Sequence, residues 1–242
     1  PGASLVSPFV TRISPLDTAK TQNWNMVYIP YCTGDVYSGD RVATYENPKD
    51  SEQSLVWHHN GLRNTRAVVA WLKNNLPRPT QMLSTGCSAG GTGSLTNYAA
   101  LRRDIDPARG FLINDSGPIF PTPQFGDSAR FPSVRLHARI RDVWGLDDGP
   151  LAFIQDAAPA FDLGDLGSIY PALSSGFPND RLGHTHFWQD QNYSSYSYER
   201  FYDEITNAPP AQRPALITAK WSQDTAALRA QLRAERLDGF VV

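Results

Sequence analysis

The sequence predicts an α/β fold, with a mostly parallel sheet and helices on both of its faces. Short apolar segments typical of buried strands alternate along the chain with longer segments of helical period. Turn-forming residues follow several of the strand segments, as they do where parallel strands end at one edge of a sheet. A chain of 242 residues with 40% hydrophobic content can bury one large core. We therefore expect a single domain over residues 1–242.

The predicted elements of the first half alternate in type. In chain order they are a buried strand over 25–32, a turn-rich loop over 33–40, a helix over 61–76, a strand over 80–87 and a helix that ends near Arg103. Pro77 stops the first helix, because proline cannot continue the backbone hydrogen bonding. A strand followed directly by a helix is therefore expected around Ser88.

The second half continues the alternation, and a Pro-rich connection over 118–132 joins its first strand to the helices that follow. Its predicted elements are a short strand over 111–114, helices over 135–144, 151–157 and 168–177, a strand over 181–189, helices over 196–206 and 223–236, and a strand that starts at Gly239. No internal repeat, low-complexity tract or linker divides the chain.

Composition argues against several classes of protein. The formal net charge is −2, and the basic residues are scattered, so nucleic acid is not an expected partner. No apolar stretch approaches the roughly 18 residues of a membrane span, and the first residues lack the basic-then-apolar pattern of a signal peptide. A polyanion-binding role is therefore disfavoured, and no membrane span is predicted.

The most specific motif is Gly86-Cys-Ser-Ala-Gly90, which matches G-x-S-x-G. In this motif a tight strand-to-helix turn exposes the serine hydroxyl, and glycine is expected two positions on either side because the backbone passes so close. We predict that Ser88 is a nucleophile and that the Ala89 amide stabilises the oxyanion. The alternative interpretation is a Gly-rich surface turn.

The two cysteines, Cys32 and Cys87, are too few for a disulfide framework and lack metal-ligand spacing. Both are expected at the carboxyl ends of strands, where they either pair with each other or remain free buried thiols. Cys87 is a weaker candidate nucleophile than Ser88, because the turn places its central residue at the tip.

Four segments together resemble the pectin acetylesterase and Notum family of carboxylesterases. They are Trp24-Asn-Met-Val-Tyr-Ile-Pro-Tyr-Cys-Thr-Gly-Asp35, His58-His-Asn-Gly-Leu-Arg-Asn64, Gly86-Cys-Ser-Ala-Gly-Gly91 and Asp115-Ser-Gly117. The resemblance covers residues 24–117 and is diffuse beyond residue 120. It implies an α/β-hydrolase fold, a Ser-Asp-His esterase acting on acylated saccharides such as pectin or on lipidated protein, and a secreted or periplasmic location.

A serine nucleophile needs a histidine base and a carboxylate that orients it. In α/β hydrolases the acid follows the serine in the chain and the histidine comes last. Asp190 is our first candidate for the acid because it follows a predicted strand and precedes a helix. Asp180 is the second candidate and Asp115 the third; a solvated loop aspartate or a helix cap is the alternative for each.

No histidine follows His186, and no Gly-rich loop precedes the Trp24 segment to supply a second oxyanion donor. We therefore expect that the sheet is incomplete at both ends and that terminal segments of the same polypeptide supply these parts. His184 or His186 is the alternative base. A catalytically inactive binding protein with a hydrolase fold is the alternative function.

The substrate pocket is expected to include His59, Cys87 and Trp188. His59 lies in a segment that the resemblance places near the site, although a structural histidine is an equal alternative. Trp188 belongs to an aromatic cluster that suits pocket wall or core. Asp35 and Asp40 lack partners at ligand spacing, so structural loop hydrogen bonding is expected there, with no metal site and no cofactor.

Overall fold

The structure is a computed structural model that describes residues 21, 23–47, 49–234 and 240–241. Contacts divide the chain into two compact units, residues 1–30 and 31–242. The single domain over residues 1–242 therefore stays a prediction. The predicted strand over 25–32 is wrong, because neither unit has a strand in that range. Apolar content alone does not make a strand; its backbone must also find a ladder partner.

The unit over residues 31–242 contains two sheets. An antiparallel hairpin is formed by β1 (Arg41–Asn47) and β2 (Asp50–His59). A parallel sheet contains, in spatial order, β3 (Gln81–Cys87), β4 (Arg109–Asp115), β5 (Arg181–Thr185) and β6 (Phe240–Val241). The predicted α/β class with a parallel sheet is confirmed. The hairpin was not predicted, because apolar side chains on both of its faces remain exposed and blur the alternation.

Eight α-helices lie in the described part of the chain. They are α1 (Gly61–Asn75), α2 (Ala89–Ile105), α3 (Val134–Trp144), α4 (Pro150–Ala157), α5 (Ile169–Gly176), α6 (Gln191–Tyr198), α7 (Asp203–Thr206) and α8 (Arg213–Ala234). The predicted helix over 196–206 is in fact two helices, and the predicted strand over 181–189 ends at Thr185. Helix α8 begins well before residue 223, because Pro214 suits the first turn of a helix.

The core lies between the sheet and its helices. Leu95 and Tyr98 of α2 are fully buried, and α2 packs against β3 and β4. Leu112 and Leu182 extend this cluster along the neighbouring strands. Within the described residues, no helix is both long and apolar enough to span a bilayer.

The strand register fixes which residues share an edge. Cys87 of β3 lies opposite Asp115 of β4, and Asp115 lies opposite Thr185 of β5. The residues that follow these three therefore all emerge at the carboxyl edge of the sheet. In open α/β sheets this edge is where ligands bind.

Candidate active site

Ser88 links β3 to α2 in a conformation that is rare for a residue with a side chain. Its φ is 55° and its ψ is −119°. Its amide donates to the Asp115 carbonyl oxygen at 2.8 Å, and its carbonyl oxygen accepts from the Thr92 amide at 3.0 Å. Such a backbone costs about 1–3 kcal/mol and persists only where the surroundings impose it. Strand, turn and helix thus follow each other here as the motif predicts.

The glycines around Ser88 are needed for different reasons. A Cβ on Gly86 would overlap the Gly90 carbonyl group, so glycine is required at this position, as the motif predicts. A Cβ on Gly91 would lie 2.5 Å from Asn114 Oδ1, so this glycine is also required. The expectation is wrong for Gly90, where an added Cβ would meet nothing within 4 Å. The tight contact is made by the backbone of Gly90, not by its missing side chain.

The amino end of α2 gives this turn a favourable potential for negative charge. Ala89 is the first residue of α2, and its amide belongs to the first turn, whose N–H groups have no acceptor within the helix. No acidic residue lies in that turn, so the positive end of the helix dipole is not neutralised. The arrangement suits an oxyanion formed beside Ser88.

The ends of β4 and β5 surround Ser88 with hydroxyl and carboxyl groups. Asp115 Oδ1 accepts from Ser116 Oγ at 2.9 Å and from Thr185 Oγ1 at 3.2 Å. Burial, followed by the charge and hydrogen bonding of Asp115, raises the pKa of Cys87. Cys87 is therefore held as a neutral thiol, which makes it a poor nucleophile. Both Cys87 and Cys32 are free and exposed.

Asp190 lies at the same edge of the sheet and caps α6. Its Oδ1 accepts from the Tyr193 amide at 2.8 Å, which satisfies one of the open donors of that helix. Burial lowers the pKa of His186, and the charge of Asp190 acts in the opposite direction. The helix-cap alternative for Asp190 is thus realised in the structure. This cap uses one carboxylate oxygen of Asp190 and leaves the other without a hydrogen bond to any described residue.

His184 and His186 contact each other on β5 and just after it. His184 Nε2 lies 2.9 Å from His186 Nδ1, and His184 Nδ1 is buried without a hydrogen-bond partner in the described part of the chain. Burial, with His186 close by, lowers the pKa of His184 to about 3. Both rings are therefore neutral near pH 7.

No hydrogen bond among the described residues joins a histidine to the Ser88 hydroxyl. His59 is held instead between Tyr45 Oη at 2.7 Å and the Thr33 carbonyl oxygen at 3.1 Å. Both ring nitrogens are thus occupied, so Nδ1 donates and Nε2 accepts. The structural alternative for His59 matches this arrangement.

The aspartates of the 33–40 loop hold the backbone. Asp35 is fully buried and accepts from Thr33 Oγ1 at 2.7 Å and from the Gly61 amide at 2.8 Å, at the start of α1. Asp40 pairs with Arg63 at 2.5 Å. Within the residues that the structure describes, no group of three His, Cys, Asp or Glu side chains is arranged to hold a metal ion.

Asp180, the second candidate acid, lies at the opposite end of the sheet from Ser88. It precedes β5 and accepts from Tyr98 Oη at 2.8 Å, from Arg102 Nε at 2.5 Å and from the Gly110 amide at 2.9 Å. Burial alone would raise the pKa of Asp180, but these hydrogen bonds outweigh it and lower the pKa. The contacts give Asp180 a structural role.

A small apolar pocket that opens to solvent lies beside the amino end of α2. Thr92, one turn beyond Ser88, contributes to it, and Tyr193 closes one side by donating to the Pro118 carbonyl oxygen at 2.7 Å. The other lining side chains are largely apolar, and α3 and α4 contribute more of them than any other element. The pocket therefore offers a largely apolar surface to a hydrocarbon group.

The three residues predicted for the pocket, His59, Cys87 and Trp188, do not line this one. The Trp188 side chain is exposed and lies under the Arg229 guanidinium, 5.3 Å from ring centroid to Cζ. Sequence reasoning missed His137, which does line the pocket. The only signal for it was its place in a predicted helix, and that does not identify the facing surface.

The chain is similar to several known proteins. Residues 15–131 match the family model described as pectinacetylesterase. The palmitoleoyl-protein carboxylesterase NOTUM of Drosophila melanogaster is 30% identical over 149 residues, which cover 57% of this chain and 20% of that protein. The palmitoleoyl-protein carboxylesterase notum1a of Danio rerio is 32% identical over 110 residues, which cover 43% of this chain and 20% of that protein.

Among solved structures, the Wnt deacylase Notum from Drosophila superposes with a TM-score of 0.48 and 21% identity, over 88% of this chain and 58% of that one. The chain thus spans about a fifth of the length of the two relatives matched by sequence. The family match and these relatives show that the chain resembles the pectinacetylesterase and Notum-like carboxylesterases.

Proposed function

We propose that this chain carries the nucleophile and the acid of a serine carboxylesterase, with Ser88 as nucleophile and Asp190 as acid. The observation that carries the proposal is the strained backbone of Ser88 between β3 and α2. Strain of this kind concentrates where a side chain must be presented to a ligand. The family match and the carboxylesterase names of the two relatives support the same reaction class.

In the proposed reaction, Ser88 Oγ attacks the ester carbonyl and its proton passes to a histidine base. The oxyanion forms against the Ala89 amide at the positive end of α2. The alcohol leaves with the proton from the histidine, and water then hydrolyses the acyl-serine bond, so that the carboxylic acid is released and Ser88 regains its proton.

The histidine of this proposal lies on polypeptide outside these 242 residues. The rings of His184 and His186 bond to each other, and that bond uses the His186 nitrogen that an orienting carboxylate would need. The mass of the native protein tests this point. A mass of 26.8 kDa together with esterase activity would instead assign the base to a histidine of this chain.

The pocket bears on which acyl group is removed. Acetyl is the group that the pectinacetylesterase description suggests, with an acylated polysaccharide such as pectin as substrate and a secreted or periplasmic location. The apolar lining next to Thr92 favours a larger hydrocarbon group, as in the names of the two relatives. Turnover of p-nitrophenyl esters of increasing acyl length distinguishes the two: a maximum at acetate supports the first, and a maximum at longer chains supports the second.

The first prediction concerns the nucleophile itself. Ser88→Ala removes the attacking oxygen and keeps the backbone, so we expect kcat for p-nitrophenyl ester hydrolysis to fall by on the order of 10⁶. Circular dichroism and thermal unfolding of the variant should match the parent protein. Unchanged turnover in the native protein would overturn the esterase assignment, and a native protein without turnover would favour a binding protein with a hydrolase fold.

A further inference from the structure

One side chain in the apolar pocket is left without a partner. His137 of α3 lines the pocket and is only 5% exposed. Its Nδ1 is buried and makes no hydrogen bond in the described part of the chain, and no described residue bonds to its Nε2. Buried polar atoms are nearly always paired, so such an exception calls for a physical explanation.

Four other hydroxyl groups of the pocket lining are already engaged. The Ser38 and Thr96 hydroxyls bond to each other at 2.8 Å. The Thr92 hydroxyl donates to the Gly117 carbonyl oxygen at 3.3 Å, and the Tyr193 hydroxyl to the Pro118 carbonyl oxygen at 2.7 Å. His137 is therefore a buried polar group of the described lining that remains free to bind a ligand and that can accept a hydrogen bond.

The charge state of His137 narrows the kind of group it can bind. Burial, reinforced by the Arg141 guanidinium on the same helix, lowers the pKa of His137 to about 3. The ring is therefore neutral near pH 7, with one N–H donor and one bare nitrogen acceptor. A neutral ring in an apolar pocket offers no counter-charge to a carboxylate. A hydroxyl group both donates and accepts, so it can pair with either tautomer.

We propose that the pocket takes an acyl group that carries a hydroxyl on its hydrocarbon part, and that His137 selects it by hydrogen bonding to that hydroxyl. The inference rests on the proposed function, because it assigns the pocket to the acyl side of the ester. It makes His137 a specificity-determining residue and names hydroxyacyl esters as the substrate class. An unsubstituted acyl chain of equal length would leave the ring unpaired, which disfavours it.

The test compares matched p-nitrophenyl esters of one chain length, unsubstituted or hydroxylated at successive carbons. We expect the parent protein to prefer one hydroxylated ester in kcat/KM by on the order of tenfold or more. His137→Leu should lose this preference, so that kcat/KM becomes nearly equal for the hydroxylated and the unsubstituted ester. His137→Gln, which retains a donor and an acceptor, should keep part of the preference. Arg139→Gln, at an exposed position of the same helix that does not line the pocket, should keep all of it.

Two results would overturn the inference: no hydroxyl position is preferred by the parent protein, or the preference survives in His137→Leu. The second result would mean that a buried water, not a ligand, pairs with His137. If no ester is turned over in a Ser88-dependent way, the proposed function has failed. Calorimetric binding of the hydroxylated and unsubstituted methyl esters to Ser88→Ala, with and without His137→Leu, then decides the inference by itself. Equal affinities in all cases would refute it.

Discussion

Polar groups at the two ends of the parallel sheet differ in how fully they are hydrogen-bonded. At the amino end, the buried carboxylate of Asp180 is saturated by Tyr98, Arg102 and the Gly110 amide. At the carboxyl end, the Ser88 hydroxyl has no histidine partner among the described residues and the Ser88 backbone is strained. Polar groups that hold the fold are paired within it, whereas groups that meet a ligand are left open.

The strongest test of this contrast replaces one aspartate by asparagine at each end of the sheet. If Asp190 orients the base, Asp190→Asn should lower kcat by on the order of 10⁴ with little change in thermal stability. Asp180→Asn is the matched control, because it makes the same chemical change at the other end of the sheet. It should lower stability and leave kcat of the folded protein near that of the parent. The reverse pattern would make Asp180 the acid.

The next test measures how much the hydrogen bonds and ion pair of Asp180 contribute to stability at the amino end of the sheet. The Asp180 side chain is 1% exposed and that of Arg102 is 15% exposed. Asp180→Ala strands a buried guanidinium, so we expect the free energy of unfolding in urea to fall by about 3–5 kcal/mol. Asp142→Ala, which removes an exposed partner of Arg41, should cost at most about 1 kcal/mol. Equal losses in the free energy of unfolding would show that the buried Asp180–Arg102 pair stabilises the fold no more than an exposed ion pair does.

A smaller effect is expected from the strain at the carboxyl end. Glycine adopts a positive φ at little cost, so Ser88→Gly should raise the free energy of unfolding by about 1 kcal/mol. Ser88→Ala loses the same hydroxyl but keeps the Cβ and its strain, and should leave stability unchanged. Urea unfolding of the two variants isolates the backbone contribution. If Ser88→Gly is no more stable than Ser88→Ala, the turn is not strained.

The last prediction concerns the response to acid. The folded-state pKa of Asp180 lies below its usual value of 3.8, so its contribution is fully present above that value. The contribution should be lost as the pH falls through the lowered folded-state pKa, since the unfolded chain then binds the proton more readily. Stability measured between pH 5 and pH 2 should fall less steeply in Asp180→Asn than in the parent. Identical dependences of stability on pH in the two proteins would show that Asp180 does not contribute to the loss of stability in acid.

Prediction from the sequence succeeded where local rules are strong. The strand, serine and helix around Ser88 follow from the spacing of Gly86 and Ser88 and from the small residues beyond, and all three elements are present. Helix α1 also ends where Pro77 predicts, within two residues. These features depend on backbone sterics within a few neighbouring residues, which sequence patterns record directly.

Prediction failed where a distant partner decides the outcome. The apolar segment over 25–32 has the composition of a strand, yet no strand forms there, because pairing is a tertiary property. The hairpin of β1 and β2 forms although neither strand shows a clear pattern. Asp180 and Asp190 both flank β5 and are indistinguishable as loop aspartates in the sequence.

The sequence by itself determined the fold class, the strand-to-helix turn at Ser88 and the family resemblance, because these are set by local composition and by motif spacing. Only the tertiary structure decided that Asp180 pairs with Arg102 while Asp190 remains at the edge beside His186. It also decided that His137 faces an apolar pocket without a partner. The physical reason is that burial and pairing depend on residues far apart in the chain, which no local pattern encodes.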